Sequence, residues 1–166
     1  DKIGEGSKGV IIFHSLSKRS SAAGLRAGFI AGDKEVISKY RQLTSNGGVA
    51  ISEPQLRVAQ ALYNDNKHVE QIRSFYDVNF QLSEKILNTK KPQGGFFNFI
   101  PVNDDLIATK HLWENHGVKV MPGRFMAHTD NGINPGRNYL RIALVNDETV
   151  TKKGLQKISK GLQELQ

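Results

Sequence analysis

Lys18 places a primary amine inside a run of hydroxyls and cations. Between Val10 and Asp33 the chain reads VIIFHSLSKRSSAAGLRAGFIAGD. Ser15, Ser17, Ser20, Ser21, Lys18, Arg19 and Arg26 all fall within a dozen residues, interrupted by Ala22, Ala23 and Gly24. Hydroxyls, guanidinium groups and backbone N–H groups in a small-residue loop are what a phosphate needs. A lysine beside such an anion site can form a Schiff base with a carbonyl compound. On composition alone, a lysine flanked by serine and arginine reads first as a solvated surface residue. The Gly-Lys-Ser/Thr signature of a nucleotide P-loop is absent from this run.

Arg141 is the second residue of chemical interest. It lies inside NYLRIALV. Strand alternation puts Leu140, Ile142 and Leu144 on one face and Tyr139, Arg141 and Ala143 on the other. A charge there is costly unless paired, and a structural salt bridge is the plain expectation. The five histidines, His14, His68, His111, His116 and His128, show no H-E-x-x-H spacing. His111 and His116 stand five apart rather than four, which argues against a shared helical metal site, and no metal ligand is assigned. His14 reads equally as a core histidine and as a residue packed near a ligand of the lysine segment.

The elements that must carry these residues follow from patterning. Val10–Phe13 is a short apolar run and reads as a buried strand; Phe29–Ala31 is a second strand. Asp33 caps a helix to about Ser45, stopped by Gly47-Gly48. Ser52-Glu53-Pro54 starts another helix, which runs to about Tyr63. From Lys67 to Asn88, Val69, Ile72, Tyr76, Phe80, Ser83 and Leu87 recur at helical spacing, so one face is buried. Beyond Pro92 the texture is short strand–helix alternation. Gly95–Val102 is a strand, Asn103 caps a helix to His116, and Val118–Met121 is a short strand. A Gly/Asn/Pro-rich loop, the strand Tyr139–Val145 and a last helix capped by Asn146 or Asp147 follow. Asp1–Gly9, rich in Gly and Lys, reads as a loose segment.

The chain has 166 residues, ordinary apolar content, no cysteine and a formal net charge of +7. Without cysteines, disulfides and thiolate metal sites are excluded. No run approaches the ~18 apolar residues of a membrane span. Basic residues never run beyond two in a row and are not interleaved with aromatics, so an anionic small molecule is a better partner than nucleic acid.

Ser15-Leu16-Ser17-Lys18, with Gly24-Leu25-Arg26-Ala27-Gly28 after it, resembles the cofactor-lysine segment of class I/II, fold type I aminotransferases. The wording FHSLSKRSSAAGLRAGFIAGD is most similar to the succinyldiaminopimelate aminotransferases of that family. The likeness continues through Gly94-Gly95-Phe96, Val118 to Gly123, and Asn134 to Leu144. The resemblance implies pyridoxal 5'-phosphate as cofactor, with Lys18 bonded covalently to its aldehyde and Ser15 and Arg26 holding its phosphate. It makes Arg141 the fork for the substrate α-carboxylate. Ser17 and Arg19 share the loop without an assigned contact, and Arg19 is read as solvated. Gly94-Gly95-Phe96 and Arg124 belong to segments that approach substrate in such folds. Arg124 is either a contact for a distal carboxylate or a solvated loop residue.

The implied fold is α/β: the end of the large mixed-sheet domain plus the small C-terminal α/β domain of a fold type I enzyme. The expected divisions are 1–66 for the large-domain part, 67–89 for a linking helix and 90–166 for the small domain. The family's aspartate at the pyridine nitrogen, its ring-stacking aromatic and its Gly-rich phosphate loop precede the lysine segment. The chain is therefore expected to be the C-terminal part of a longer protein, inactive alone. The implied reaction moves an amino group from N-succinyl-diaminopimelate to 2-oxoglutarate in lysine biosynthesis, in a cytoplasmic homodimer without nucleic-acid or membrane partners. The same fold also serves aspartate or aromatic aminotransferases, β-lyases, and the effector-sensing domains of some transcription regulators.

Overall fold

A computed structural model of the chain describes residues 8–48 and 50–166. The expected loose segment falls, up to Ser7, outside the described residues. The chain divides into two compact units, Asp1–Ile72 and Arg73–Gln166, with the boundary inside one long helix.

In the first unit, strand β1 (Ile11–Ser15) runs directly into a single helical turn, α1 (Leu16–Arg19). A 3-10 turn (Ala23–Leu25) follows, then β2 (Gly28–Gly32), which pairs antiparallel with β1. Register opposes Ser15 to Gly28. That pairing requires glycine: a Cβ at position 28 would lie 2.4 Å from the His14 carbonyl oxygen. Helices α2 (Lys34–Asn46) and α3 (Glu53–Asn64) follow. Asp33 caps α2 by accepting from the Glu35 and Val36 N–H groups, which satisfies two of the helix's orphan donors. At α3 the Ser52 N–H donates to Gln55 Oε1, the reciprocal arm of a capping box, with Pro54 in the first turn.

The core of this unit gathers at Leu16, Ala27 and Ala59, with Ala22, Leu25, Ile51, Leu62 and Tyr63 packed around them. Leu16 is fully buried, worth roughly 1.5–3 kcal/mol for a side chain of its size. The core thus lies past the end of the strand pair. This corrects the buried-strand reading of Val10–Phe13: within this chain Phe13 is 74% exposed, and Val10, Ile12 and Phe29 are exposed too.

The boundary helix, α4 (Lys67–Leu87), matches its expected span closely. In the second unit, β3 (Phe97–Pro101), β4 (Met121–Pro122) and β5 (Tyr139–Ala143) form an antiparallel sheet ordered β3-β5-β4. Helices α5 (Asp105–His116) and α6 (Glu148–Gln163) complete the unit. Its core holds Phe80, Ile100, Leu112, Leu140, Ile142, Leu144, Leu155 and Ile158. Asn79 and Asn98 are buried yet satisfied, as buried amides must be. The Asn79 side chain donates to the carbonyls of Leu144 and Asn146, and that of Asn98 donates to Ser83 Oγ and Thr89 Oγ1. Asp104, not Asn103, caps α5, accepting from the Leu106 and Ile107 N–H groups. Asp147 caps α6.

Candidate active site

The lysine segment is held from both sides. Ser15 ends β1 and caps α1; its hydroxyl oxygen accepts from the Ser17 N–H at 3.1 Å. Leu16 buries its side chain, donates its N–H to the Ala27 carbonyl, and receives the N–H groups of Ser20 and Ala22 on its own carbonyl. One residue beyond Lys18, the Arg19 guanidinium donates to the Leu62 carbonyl at 2.7 Å, to the Tyr63 carbonyl at 3.5 Å and to Asn66 Oδ1 at 2.8 Å. Arg19 is therefore not solvated. It caps the carbonyl end of α3, where a cation is favoured, and lies over the Tyr63 ring. Ser20 Oγ in turn meets His68 Nε2 at 2.9 Å, and His68 Nδ1 meets Asp65 at 2.7 Å.

Between these anchors Lys18 sits on an exposed turn. Arg26, in left-handed backbone conformation with φ +52°, is also exposed and gives one guanidinium hydrogen to the Ala23 carbonyl at 3.1 Å. Ser15, Lys18 and Arg26 thus belong to the connection at one end of the β1–β2 pair. No carboxylate interrupts the stretch from Phe13 to Gly32, so the segment itself offers a dianion amine, guanidinium and hydroxyl donors and no anion. That donor set fits a phosphate-bearing aldehyde. His14 is exposed rather than in the core. Its ring stacks on Phe29 and stands 3.4 Å from the Tyr63 hydroxyl.

In the second unit, Arg141 occupies the central strand, opposite Phe99 on β3 and Met121 on β4. The expected alternation holds: Leu140, Ile142 and Leu144 are buried, while Arg141 is half-buried on the other face with Tyr139 and Ala143 exposed. Its guanidinium carbon lies 4.4 Å from the centre of the Phe97 ring. Among the described residues it makes no ion pair, so the plain salt-bridge expectation is not met. A guanidinium fixed against an aromatic face and lacking a protein carboxylate is suited to take one from a ligand.

Arg124 is neither solvated nor directed at a ligand. Its N–H and guanidinium donate to Asp105, and Nη2 also reaches Asp104 at 3.0 Å. Asp105 has no exposed side-chain surface and takes a further bond from the Asn138 N–H. Burial pushes its carboxyl pKa up, but these hydrogen bonds outweigh burial and hold it at about 2. The cluster fixes the approach to β5 and so positions Arg141. Asn134 ties the same loop, donating to the Arg124 carbonyl and to Thr129 Oγ1 and accepting from the Gly136 N–H. Gly123 and Gly136 touch backbone to backbone; a Cβ at either would meet the other's carbonyl oxygen at about 2 Å. Sequence reasoning missed Asp105, Asn134 and Asn138; the paired Asp104-Asp105 and the Asn-Pro-Gly-Arg-Asn run were the available signals.

Two of the histidines, five apart in sequence, share one carboxylate. His111 and His116 both reach Glu164, which follows α6, and their ring centres are 5.3 Å apart.

Among the described residues no helix is long and apolar enough to cross a membrane. The family model for aminotransferase class I and II matches residues 2–158. The LL-diaminopimelate aminotransferase of Natranaerobius thermophilus is 32% identical over 165 residues, covering 92% of this chain and 41% of its own. The 4-dedimethylamino-4-oxo-anhydrotetracycline transaminase OxyQ of Streptomyces rimosus is 29% identical over 148 residues, 86% of this chain and 40% of its own. An aminotransferase structure from Neisseria meningitidis superposes with a TM-score of 0.93 at 35% identity, over 97% of this chain and 42% of that one. The chain spans about two fifths of the length of these relatives. With the match running from the lysine segment through the arginine strand and on into α6, the chain belongs to the class I and II aminotransferases.

Proposed function

We propose that this chain carries the lysine and carboxylate-binding parts of a pyridoxal-phosphate aminotransferase. The observation that carries the reading is the donor set of the β1–β2 connection: Ser15, Lys18 and Arg26 on an anchored, acid-free turn. Ser15 Oγ and the remaining guanidinium hydrogens of Arg26 hold the cofactor phosphate. With the cofactor bound, Lys18 Nζ would hold its aldehyde carbon and, when free, would carry the proton of the substrate Cα. The cofactor, when bound, supplies the electron sink for that carbon. Arg141 grips the α-carboxylate with two parallel N–H···O bonds, its plane held by Phe97.

The amino donor we propose is N-succinyl-diaminopimelate, with 2-oxoglutarate as acceptor. Support comes from the wording of the lysine segment and from a relative that acts on LL-diaminopimelate. We also infer that the whole protein works as a homodimer. Stopped-flow half-reactions of the whole protein with N-succinyl-diaminopimelate, LL-diaminopimelate and aspartate test the donor. The highest rate constant over dissociation constant is expected for the succinylated donor. A preference for either of the others by tenfold or more replaces it as the donor while leaving the transaminase reading standing.

A further inference from the structure

We propose that His111, His116 and Glu164 bind a divalent transition-metal ion of the zinc class, clipping the end of α5 to the end of α6. The proposal is independent of the transaminase reading. Both imidazole Nε2 atoms lie at hydrogen-bond distance from one carboxylate oxygen, Glu164 Oε2: 3.0 Å from His111 and 2.8 Å from His116. One ligand atom from each residue falls within a group less than 4.8 Å across. Around a tetrahedral ion with bonds of about 2.0–2.2 Å, ligand atoms stand about 3.3 Å apart. The two nitrogen–oxygen separations therefore need to widen by only a few tenths of an ångström to admit the ion.

A plain helix-to-helix ion pair requires one imidazole. Here two converge on the same oxygen, and both are largely withdrawn from water, with His111 at 20% and His116 at 9% side-chain exposure. The seat of His116 is shaped for it. Gly161 on α6 lies beneath the ring, and a Cβ there would come within 2.8 Å of Cδ2 and 3.0 Å of Nε2. His111 has a partner on its far side: the Asn115 amide stands 2.8 Å from Nδ1. Turned to present its oxygen, that amide accepts the Nδ1 hydrogen and leaves the Nε2 lone pair facing the ion. Two cations stand nearby. Lys160 Nζ is 4.0 Å from Glu164 Oε1, and Lys157 Nζ donates to the His116 carbonyl at 3.0 Å. The first faces the other carboxylate oxygen, and the Lys160 side chain is 74% exposed, so it moderates the site without filling it.

Binding forms two nitrogen–metal bonds and one oxygen–metal bond, with water at the open position. Each imidazole binds in its neutral form through Nε2 with its hydrogen on Nδ1; any hydrogen carried on Nε2 beforehand passes to solvent or to Nδ1. Two imidazoles with one carboxylate favour zinc, nickel or copper over magnesium.

The test is calorimetric titration of Zn²⁺ into the metal-stripped full chain, alongside the His111→Ala, His116→Gln and Glu164→Gln variants. Saturable one-to-one binding is expected, unaffected by Mg²⁺, weakened about tenfold or more by each substitution, and accompanied by a Zn²⁺-dependent rise in Tm that the variants lose. With Cu²⁺ as probe, electron paramagnetic resonance should show coupling to two nitrogens, reduced to one in His111→Ala. Glu164 lies beyond the last helical residues, so Glu164→Gln keeps the question decidable if His116→Gln does not fold. Wild-type protein that binds no Zn²⁺, or binding that survives in both His111→Ala and Glu164→Gln, overturns the proposal.

Discussion

Arg19 donates to the Leu62 carbonyl at 2.7 Å, forty-three residues away, while its immediate neighbour Lys18 stays on the exposed surface of the same turn. Arg19 is thus committed to structure while Lys18, just before it, lies on the surface of the same turn. Arg19→Ala removes the donor to two carbonyls and an amide at the end of α3. Hydrogen bonds involving a charged group are worth about 1.5–3 kcal/mol, and a loss of that order should appear as a lower urea midpoint. Arg19→Lys should recover part of it, since a point charge cannot reach all three acceptors.

Lys18→Ala should leave the midpoint within about 0.5 kcal/mol, as expected for an exposed position. In the whole protein it should abolish turnover and the visible absorbance of the lysine-linked cofactor, because the proposed covalent anchor and proton carrier are the same nitrogen. Residual transamination by this variant would refute the assignment.

Arg141→Ala and Arg124→Ala should separate cleanly. Arg141 has no carboxylate partner among the described residues, so its loss should spare stability and the lysine-linked absorbance. It should weaken use of amino donors by about 2–5 kcal/mol in kcat/KM, the usual cost of removing one member of a desolvated charge pair. Arg124→Ala leaves Asp105 buried with only the backbone N–H groups of residue 124 and Asn138 as donors, a loss on the order of 3–5 kcal/mol of stability. Unchanged donor kinetics in Arg141→Ala would return that residue to a structural role.

Acid should destabilise the second unit through Asp105. Its folded pKa of about 2 lies below the ordinary 3.8, so the folded state binds the proton less readily than the unfolded chain. The stabilising contribution is complete above about pH 4 and is lost as pH falls toward about 2. Asp104 and Glu164 in the same unit are also held below their ordinary values and add to the slope in the same direction; Asp33 and Asp65 act likewise in the first unit. Urea midpoints measured across this window should fall for the native sequence. Asp105→Asn should be less stable at neutral pH and show a shallower fall.

Local patterning made the helices and most strands legible. Asp33, Ser52 and the periodic face of α4 each announce their element through side chains only a few residues apart. The family was legible through resemblance, and its match over residues 2–158 spans both the lysine segment and the Arg141 strand. Arg19, Arg124 and Asp105 were not, since their partners lie 19 to 47 residues away and a cation's local sequence does not reveal whether its acceptors are water or carbonyls. The buried strand was misjudged for a related reason: an apolar run records what a strand can cover, not which elements of this chain cover it. The spacing of His111 and His116 does not reveal their shared partner, because Glu164, just past α6, lies 48 to 53 residues away.

The sheet order β3-β5-β4 places the last strand of the second unit in the middle. During synthesis neither flanking strand has a neighbour until Tyr139–Ala143 emerges, so the sheet cannot grow strand by strand. Its closure is a single late event with both edges of the new strand satisfied at once. Arg141 arrives in that strand, so the carboxylate grip proposed for it would be completed in the same act that completes the sheet. Chains halted before that point would present β3 and β4 as open edges, the species that quality control must recognise.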